Sequence, residues 1–370
     1  MSTNTIGVAF KVTCFGESHG RCVGTIVDGC PAGLEISEDT VQRELERRST
    51  GQSFFATQRG EEDKVEVISG IFNGFTTGAP ICMIVWNKDI ESSSYEKIKF
   101  TPRPGHADFT AYTKFGGFND YRGGGRFSGR ITASFVMAGI VAKKLLALLN
   151  IEILAYTLEI AGIKSEPKTI KEIRSNVEKS SVRCPDLTAA EKMIERIKAA
   201  KDEGDSVGGV IESVSINVPF GLGEPIFDTL EGDLAKALLA IPAVKGVEFG
   251  SGFKLSSMKG SESNDIFTVK GGKVITKSNR SGGILGGISN GMPIVLRVAI
   301  KPTPSIPKSQ DTVDLEKMIP VTLKVDGRHD SCIVPRAVPV VESMIAIVLA
   351  DHAIRAELLP RVLRGGSFGK

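Results

Sequence analysis

The chain has 370 residues, a formal net charge of +3, and 41% hydrophobic and 24% charged residues, the composition of a folded globular protein of one large or two ordinary domains. So balanced a charge excludes general electrostatic attraction to nucleic acid or membrane, and any basic site must be local. No uncharged apolar run reaches the ~18 residues of a membrane span, and Met1 to Phe10 has no secretory signal pattern, so a cytoplasmic protein without membrane contact is expected.

The cysteines Cys14, Cys22, Cys30, Cys82, Cys184 and Cys332 include no C-x-x-C pair, which favours free thiols and no metal site. Of the four histidines, His19, His106 and His329 lie in polar, Gly- or Arg-flanked contexts, whereas His352 falls in an apolar helix and reads as structural.

Residues 12–15 and 23–27 read as strands around the tight loop Gly16-Glu17-Ser18-His19-Gly20. A histidine there titrates near neutrality, and Ser18 is placed to orient or relay its proton; a simple turn is the alternative. Residues 37–48 have helical periodicity, with Val41 and Leu45 on one face and Arg43, Arg47 and Arg48 expected in solvent. Arginines in a closing turn complement the helix dipole or bind a ligand. Residues 51–60, carrying Phe54-Phe55, form a loop long enough to be a flap, and strands follow at 65–69 and 81–86. Arg103-Pro104-Gly105-His106-Ala107-Asp108 is a rigid turn whose aspartate and arginine act in opposite senses on the imidazole.

The stretch Arg122-Gly123-Gly124-Gly125-Arg126-Phe127-Ser128-Gly129-Arg130 combines backbone freedom, fixed charge and an N-cap at Ser128 before an apolar helix at 131–149. It reads as an anion-binding loop or, alternatively, a flexible connection with solvated arginines. It is not a P-loop. A strand at 151–160 precedes a charged segment, 164–206, expected to be peripheral scaffold. That segment contains an amphipathic helix opened by a capping box from Thr188 to Glu191 and closed at Gly204.

Further on come a strand at 208–218, a helix at 230–239 ending near Pro242-Ala243, and a hairpin around Gly271-Gly272. The glycine-rich residues 281–291 bring backbone against a ligand or another chain, or form a floppy loop. A strand at 293–300 runs into Lys301-Pro302-Thr303-Pro304-Ser305, one at 321–325 runs into Asp326-Gly327-Arg328-His329-Asp330, and residues 338–358 form a long apolar helix. Alternating strands with helices apolar on nearly all faces imply an α/β or α+β fold whose helices are covered on both sides.

Taken together, the loop at 16–20, the turn at 103–108, the glycine-rich stretches at 123–130 and 282–291, and the motifs at 301–305 and 327–330 resemble the chorismate synthase family over essentially the whole chain. The resemblance implies a single domain over 1–370, a β-α-β sandwich with central buried helices between two sheets, and a homotetramer. It implies a 1,4-anti elimination of phosphate from 5-enolpyruvylshikimate 3-phosphate, dependent on reduced FMN, which lends electron density to the substrate and recovers it. NADPH enters only if the chain reduces its own flavin.

The family pattern puts His106 at the departing phosphate, His19 with Ser18 at protonation of the reduced flavin, and Asp330 near flavin N5, with Ser128 also in the catalytic set. It puts FMN on Arg126, Phe127, Ser128, Pro242, Ala243, Gly286, Lys301, Pro302, Thr303, Pro304, Ser305 and Arg328. Substrate falls to Arg48, Arg130, Lys301 and Arg328. Three positions depart from the pattern: Phe54 stands where a basic flap residue is common, which weakens the case for nicotinamide binding, and Phe127 and Ile131 replace a serine and a glutamate. Two competing functions are an FMN-dependent reductase and a phosphate- or nucleotide-sensing binding protein without turnover.

Overall fold

A computed structural model describes residues 4–49, 63–88, 93–96, 99–325 and 330–364. The flap residues, including Phe54, and the residues Gly327, Arg328 and His329 lie outside the described residues. Two five-stranded antiparallel sheets frame the molecule. The first runs Thr5–Ile6, Lys11–Gly16, Cys22–Asp28, Ile81–Trp86, Val65–Ser69. The second runs Val244–Phe249, Ile294–Ile300, Gly209–Ile216, Glu152–Ile160, Ile163–Lys164.

The helices, in chain order, are α1 (Glu38–Arg48), α2 (Ser93–Glu96), α3 (Asp108–Phe115), α4 (Thr132–Ala147), α5 (Ile170–Asn176), α6 (Leu187–Asp202), α7 (Leu230–Leu239), α8 (Gly260–Ser263) and α9 (Val334–Arg355). The helix α4 packs on strands of the first sheet and on α9, which in turn packs on Glu152–Ile160 and Gly209–Ile216 of the second. Both helices are apolar around nearly their whole circumference because each is covered on opposite sides. Where α4 and α9 meet, Gly139 has no room for a side chain: an added Cβ would lie 2.6 Å from Ser343 Cα. Although α9 is long and apolar enough to cross a membrane, it is buried in this core.

Several local expectations are corrected. Arg48 is buried at 3% exposure, and the reason is its register: it falls seven residues after Val41 on the inward face of α1. The cap of α6 is Asp186, which accepts from Ala189 N at 3.3 Å, so Thr188 lies in the first turn and forms no capping box. A capping box does occur at Thr169 and Glu172, opening α5. The last helix begins at Val334 rather than 338 and runs through Pro339, and α3 directly follows the turn at 103–107.

Candidate active site

A cavity of about 1410 Å³ opens between the end of α1, the turn before α3, the glycine-rich loop, the end of α7, the segment after Ile294–Ile300 and the start of α9. Nine lysines and arginines line it against two aspartates, Asp63 and Asp330. In a chain of net charge +3, this concentrates positive potential in one concave place. Its apolar wall includes Ile241, Ile333, Ala337, Val340 and Ile347.

The three glycines of the loop have φ of 59°, 81° and 51°, the left-handed region that side chains disfavour. Space demands glycine as well. A Cβ on Gly123 would lie 2.8 Å from Ser18 Oγ and collide with the His19 ring, and one on Gly124 would lie 3.0 Å from His106 Cε1. The loop is therefore a clamp seated against both histidines. Ser18 N donates to Gly125 O at 3.2 Å, which fixes that seating. Ser128 caps the turn that follows, accepting from Arg130 N at 3.3 Å. Arg126 donates to Gly16 O at 3.0 Å, to Cys14 O and to Asn4 Oδ1, so it ties the loop to the first sheet while still lining the cavity.

His106 is held by a carboxylate. Asp108 Oδ1 lies 2.6 Å from its Nδ1, which favours the tautomer protonated at Nδ1 and leaves Nε2, 3.3 Å from Arg103 Nη2, as the acceptor nitrogen. Arg103 grips the same carboxylate through Nε at 2.8 Å and Nη2 at 2.9 Å, and reaches Ser305 Oγ through Nη1 at 3.1 Å. Burial pushes the Asp108 carboxyl up, but bonds from Arg103 and His106 outweigh it and hold the group well below the usual range. Lys301 Nζ donates to the Gly105 carbonyl of the same turn.

Also in the lining, Arg48 donates through Nε to Thr132 Oγ1 at 2.9 Å, through Nη1 to Asp63 at 2.7 Å and through Nη2 to Gly129 O at 3.2 Å. Arg130 shares the Asp63 carboxylate and reaches Asn87 Oδ1 at 3.0 Å. Asp330 is paired with Arg336 from the first turn of α9.

The family model for chorismate synthase matches residues 10–354. A chorismate synthase of Dehalococcoides mccartyi is 57% identical over 98% of this chain and 100% of its own length. That of Korarchaeum cryptofilum is 56% identical over 96% and 99%. The chain belongs to the chorismate synthase family. A solved structure, a crystal structure of chorismate synthase, matches with a TM-score of 0.76 at 30% identity, covering 97% of this chain and 95% of that one. As a member of this family the chain is a lyase of the shikimate pathway, converting 5-enolpyruvylshikimate 3-phosphate to chorismate and phosphate.

Of the residues that the chorismate synthase resemblance singles out, Ser18, Arg48, His106, Arg126, Phe127, Ser128, Arg130, Pro242, Ala243, Lys301, Thr303, Pro304, Ser305 and Asp330 line one cavity. His19 sits just behind Gly123, 4% exposed, its ring edge-on to Tyr95 at 5.1 Å. Pro302 is not among the lining residues, and Gly286 lies at the turn between the short strands Ile284–Leu285 and Ile288–Ser289, outside this chain's cavity lining. Arg328 falls outside the described residues. Asp63, Arg103, Asp108 and Arg336 escaped the sequence reading as site residues. For Arg103 and Asp108 the signal was present, since both flank His106 in one rigid turn.

Proposed function

We propose that this cavity binds 5-enolpyruvylshikimate 3-phosphate together with reduced FMN and that His106, Asp330 and His19 move the protons of the elimination. The observation that carries the proposal is the meeting of the His106–Asp108 pair with a ring of fixed cations in one cavity. A substrate bearing a phosphate and two carboxylates needs several such cations, and guanidinium groups suit both anions.

The donor set also fits a flavin mononucleotide. Ile241, Ala243, Ala337 and Val340 offer an apolar wall to a flat ring system, while Lys301, Arg126 and Ser128 suit a phosphate. Thr303 Oγ1 is buried with no hydrogen-bond partner among the described residues, as expected of a group awaiting a ligand. When bound, reduced FMN supplies electron density to the substrate and takes it back, so the reaction has no net redox change.

The chain's residues do the rest. Arg48 and Arg130 hold substrate anions in place of Asp63, and Asp108 orients the His106 imidazole through Nδ1 so that Nε2 serves as the proton donor to the departing phosphate oxygen. Arg336, paired with Asp330, orients it for proton transfer. NADPH is required only if the chain reduces its own flavin. A single domain is supported by one continuous core spanning both sheets and the helices between them. A cytoplasmic homotetramer belongs to the same reading, supported by the exposed apolar side chains Phe220, Phe267, Val274 and Leu285.

The test is anaerobic incubation of substrate with chemically reduced FMN, following phosphate release and chorismate absorbance together. Equal amounts of both products, with flavin still reduced, are expected. Ligand binding without either product would favour a binding protein instead.

A further inference from the structure

The segment 164–206 lies away from the cavity, yet one of its side chains reaches the main-chain frame of the site. Arg183 is 7% exposed, and its φ of 53° is left-handed, an uncommon setting for a residue with a side chain. Its guanidinium donates through Nη1 to Pro335 O and through Nη2 to Arg47 O, both at 2.6 Å.

Among the described residues neither carbonyl has a helical donor four residues on, for definable reasons. Arg47 is in the last turn of α1, where carbonyls have no donor four residues on. Pro335 is four residues before Pro339, which has no N–H to offer. One planar fork thus satisfies two orphan acceptors on two helices and sets the distance between them. Glu178 Oε2, 3.3 Å from Nε, balances the charge.

The residues that follow these carbonyls are Arg48 and Arg336, and both line the cavity, whereas Arg183 does not. Arg336 Nε also donates to Arg48 O at 3.4 Å, and its Nη1 holds Asp330. We infer that Arg183 is a positioning residue for the elimination: by bridging the Arg47 and Pro335 carbonyls it fixes the spacing of Arg48 from the Arg336–Asp330 pair. The inference rests on the proposed role of Arg48 in substrate binding. Arg183 acts on substrate only through that wall, and a lysine cannot replace it, because one ammonium cannot span both acceptors in the fork's geometry.

The experiment is a double-mutant cycle with Arg183→Gln, Arg183→Lys and Arg48→Lys, assayed by anaerobic phosphate release with reduced FMN. Arg183→Gln and Arg183→Lys are each expected to raise the substrate KM roughly ten- to hundredfold, the scale of a small misplacement of binding groups. In the Arg48→Lys background, replacing Arg183 is expected to add little, since the group it positions is already impaired. If Arg183→Gln does not fold, Arg183→Lys carries the same cycle. Full rescue by lysine, an unchanged KM, or effects that multiply in the double variant would each overturn the inference. An unchanged KM in Arg48→Lys alone would remove Arg48 from substrate binding and take both readings down, whereas multiplied effects with Arg48→Lys impaired would remove only the Arg183 inference.

Discussion

At the scale of the residue, the pairing of Asp108 with His106 gives the sharpest expectation. Replacing Asp108 by asparagine keeps the volume but removes the carboxylate that holds both the imidazole and Arg103. Turnover should fall on the order of 10²-fold, the usual worth of a general acid, with FMN affinity unchanged. Unchanged turnover would show that His106 works without its carboxylate. Gly124→Ala meets both a left-handed φ and the His106 ring. It should lower activity more than global stability, which parallel rate and urea-unfolding measurements would separate.

At the scale of the element, α1, α4 and α9 are joined by buried charge as well as by apolar packing. Glu342 of α9 accepts from Arg47 Nη1 and Lys143 Nζ, both at 2.7 Å. Burial pushes the Glu342 carboxyl up, yet Lys143 and Arg47 more than reverse this and bring it down to about 2. A carboxylate whose folded pKa lies below its unfolded value contributes stability above the unfolded pKa and loses it as pH falls through the folded one. That contribution should therefore disappear between about pH 4.5 and about pH 2. Glu342→Gln removes the most buried carboxylate of this network, while Glu44 stays beside both cations and Glu178 beside Arg47, and should destabilise the chain by about 1–3 kcal/mol at neutral pH, with the difference from the parent shrinking in acid. Urea titrations at pH 7 and pH 3.5 would measure both values, and equal differences at the two pH values would contradict the assignment.

At the scale of the whole molecule, the distribution of charge matters more than its sum. The nine cations around the cavity act in a chain whose net charge is +3. Raising ionic strength from about 0.05 to about 0.3 M should raise the substrate KM several-fold through screening and leave kcat nearly constant. Stopped-assay kinetics at several salt concentrations would test this, and a salt-independent KM would mean that the cations serve the fold alone. The packing of α4 on α9 through Gly139 is central to the same architecture, because it sets the spacing between the two sheets. Gly139→Ala should destabilise by about 1–3 kcal/mol through overpacking, measurable as a lowered denaturation midpoint.

The order of strands and helices, the burial of the two long apolar helices and the chemistry-bearing motifs were legible by reading along the chain. Each rests on local information: the periodicity of apolar residues, the conformational freedom of glycine, and the spacing within short turns such as 103–108. Even the inward face of α1 was written in the interval from Val41 to Leu45 to Arg48, although charge made Arg48 look like a solvent residue. What the tertiary structure alone decided is which distant groups share a charge or a carbonyl. Asp63 between Arg48 and Arg130, the glycine clamp over His19 and His106, and Arg183 bridging α1 to α9 join residues far apart in the chain. Local sequence carries no record of such pairings, because they form only when closure of the sheets around the helices brings unsatisfied polar groups within reach of one another.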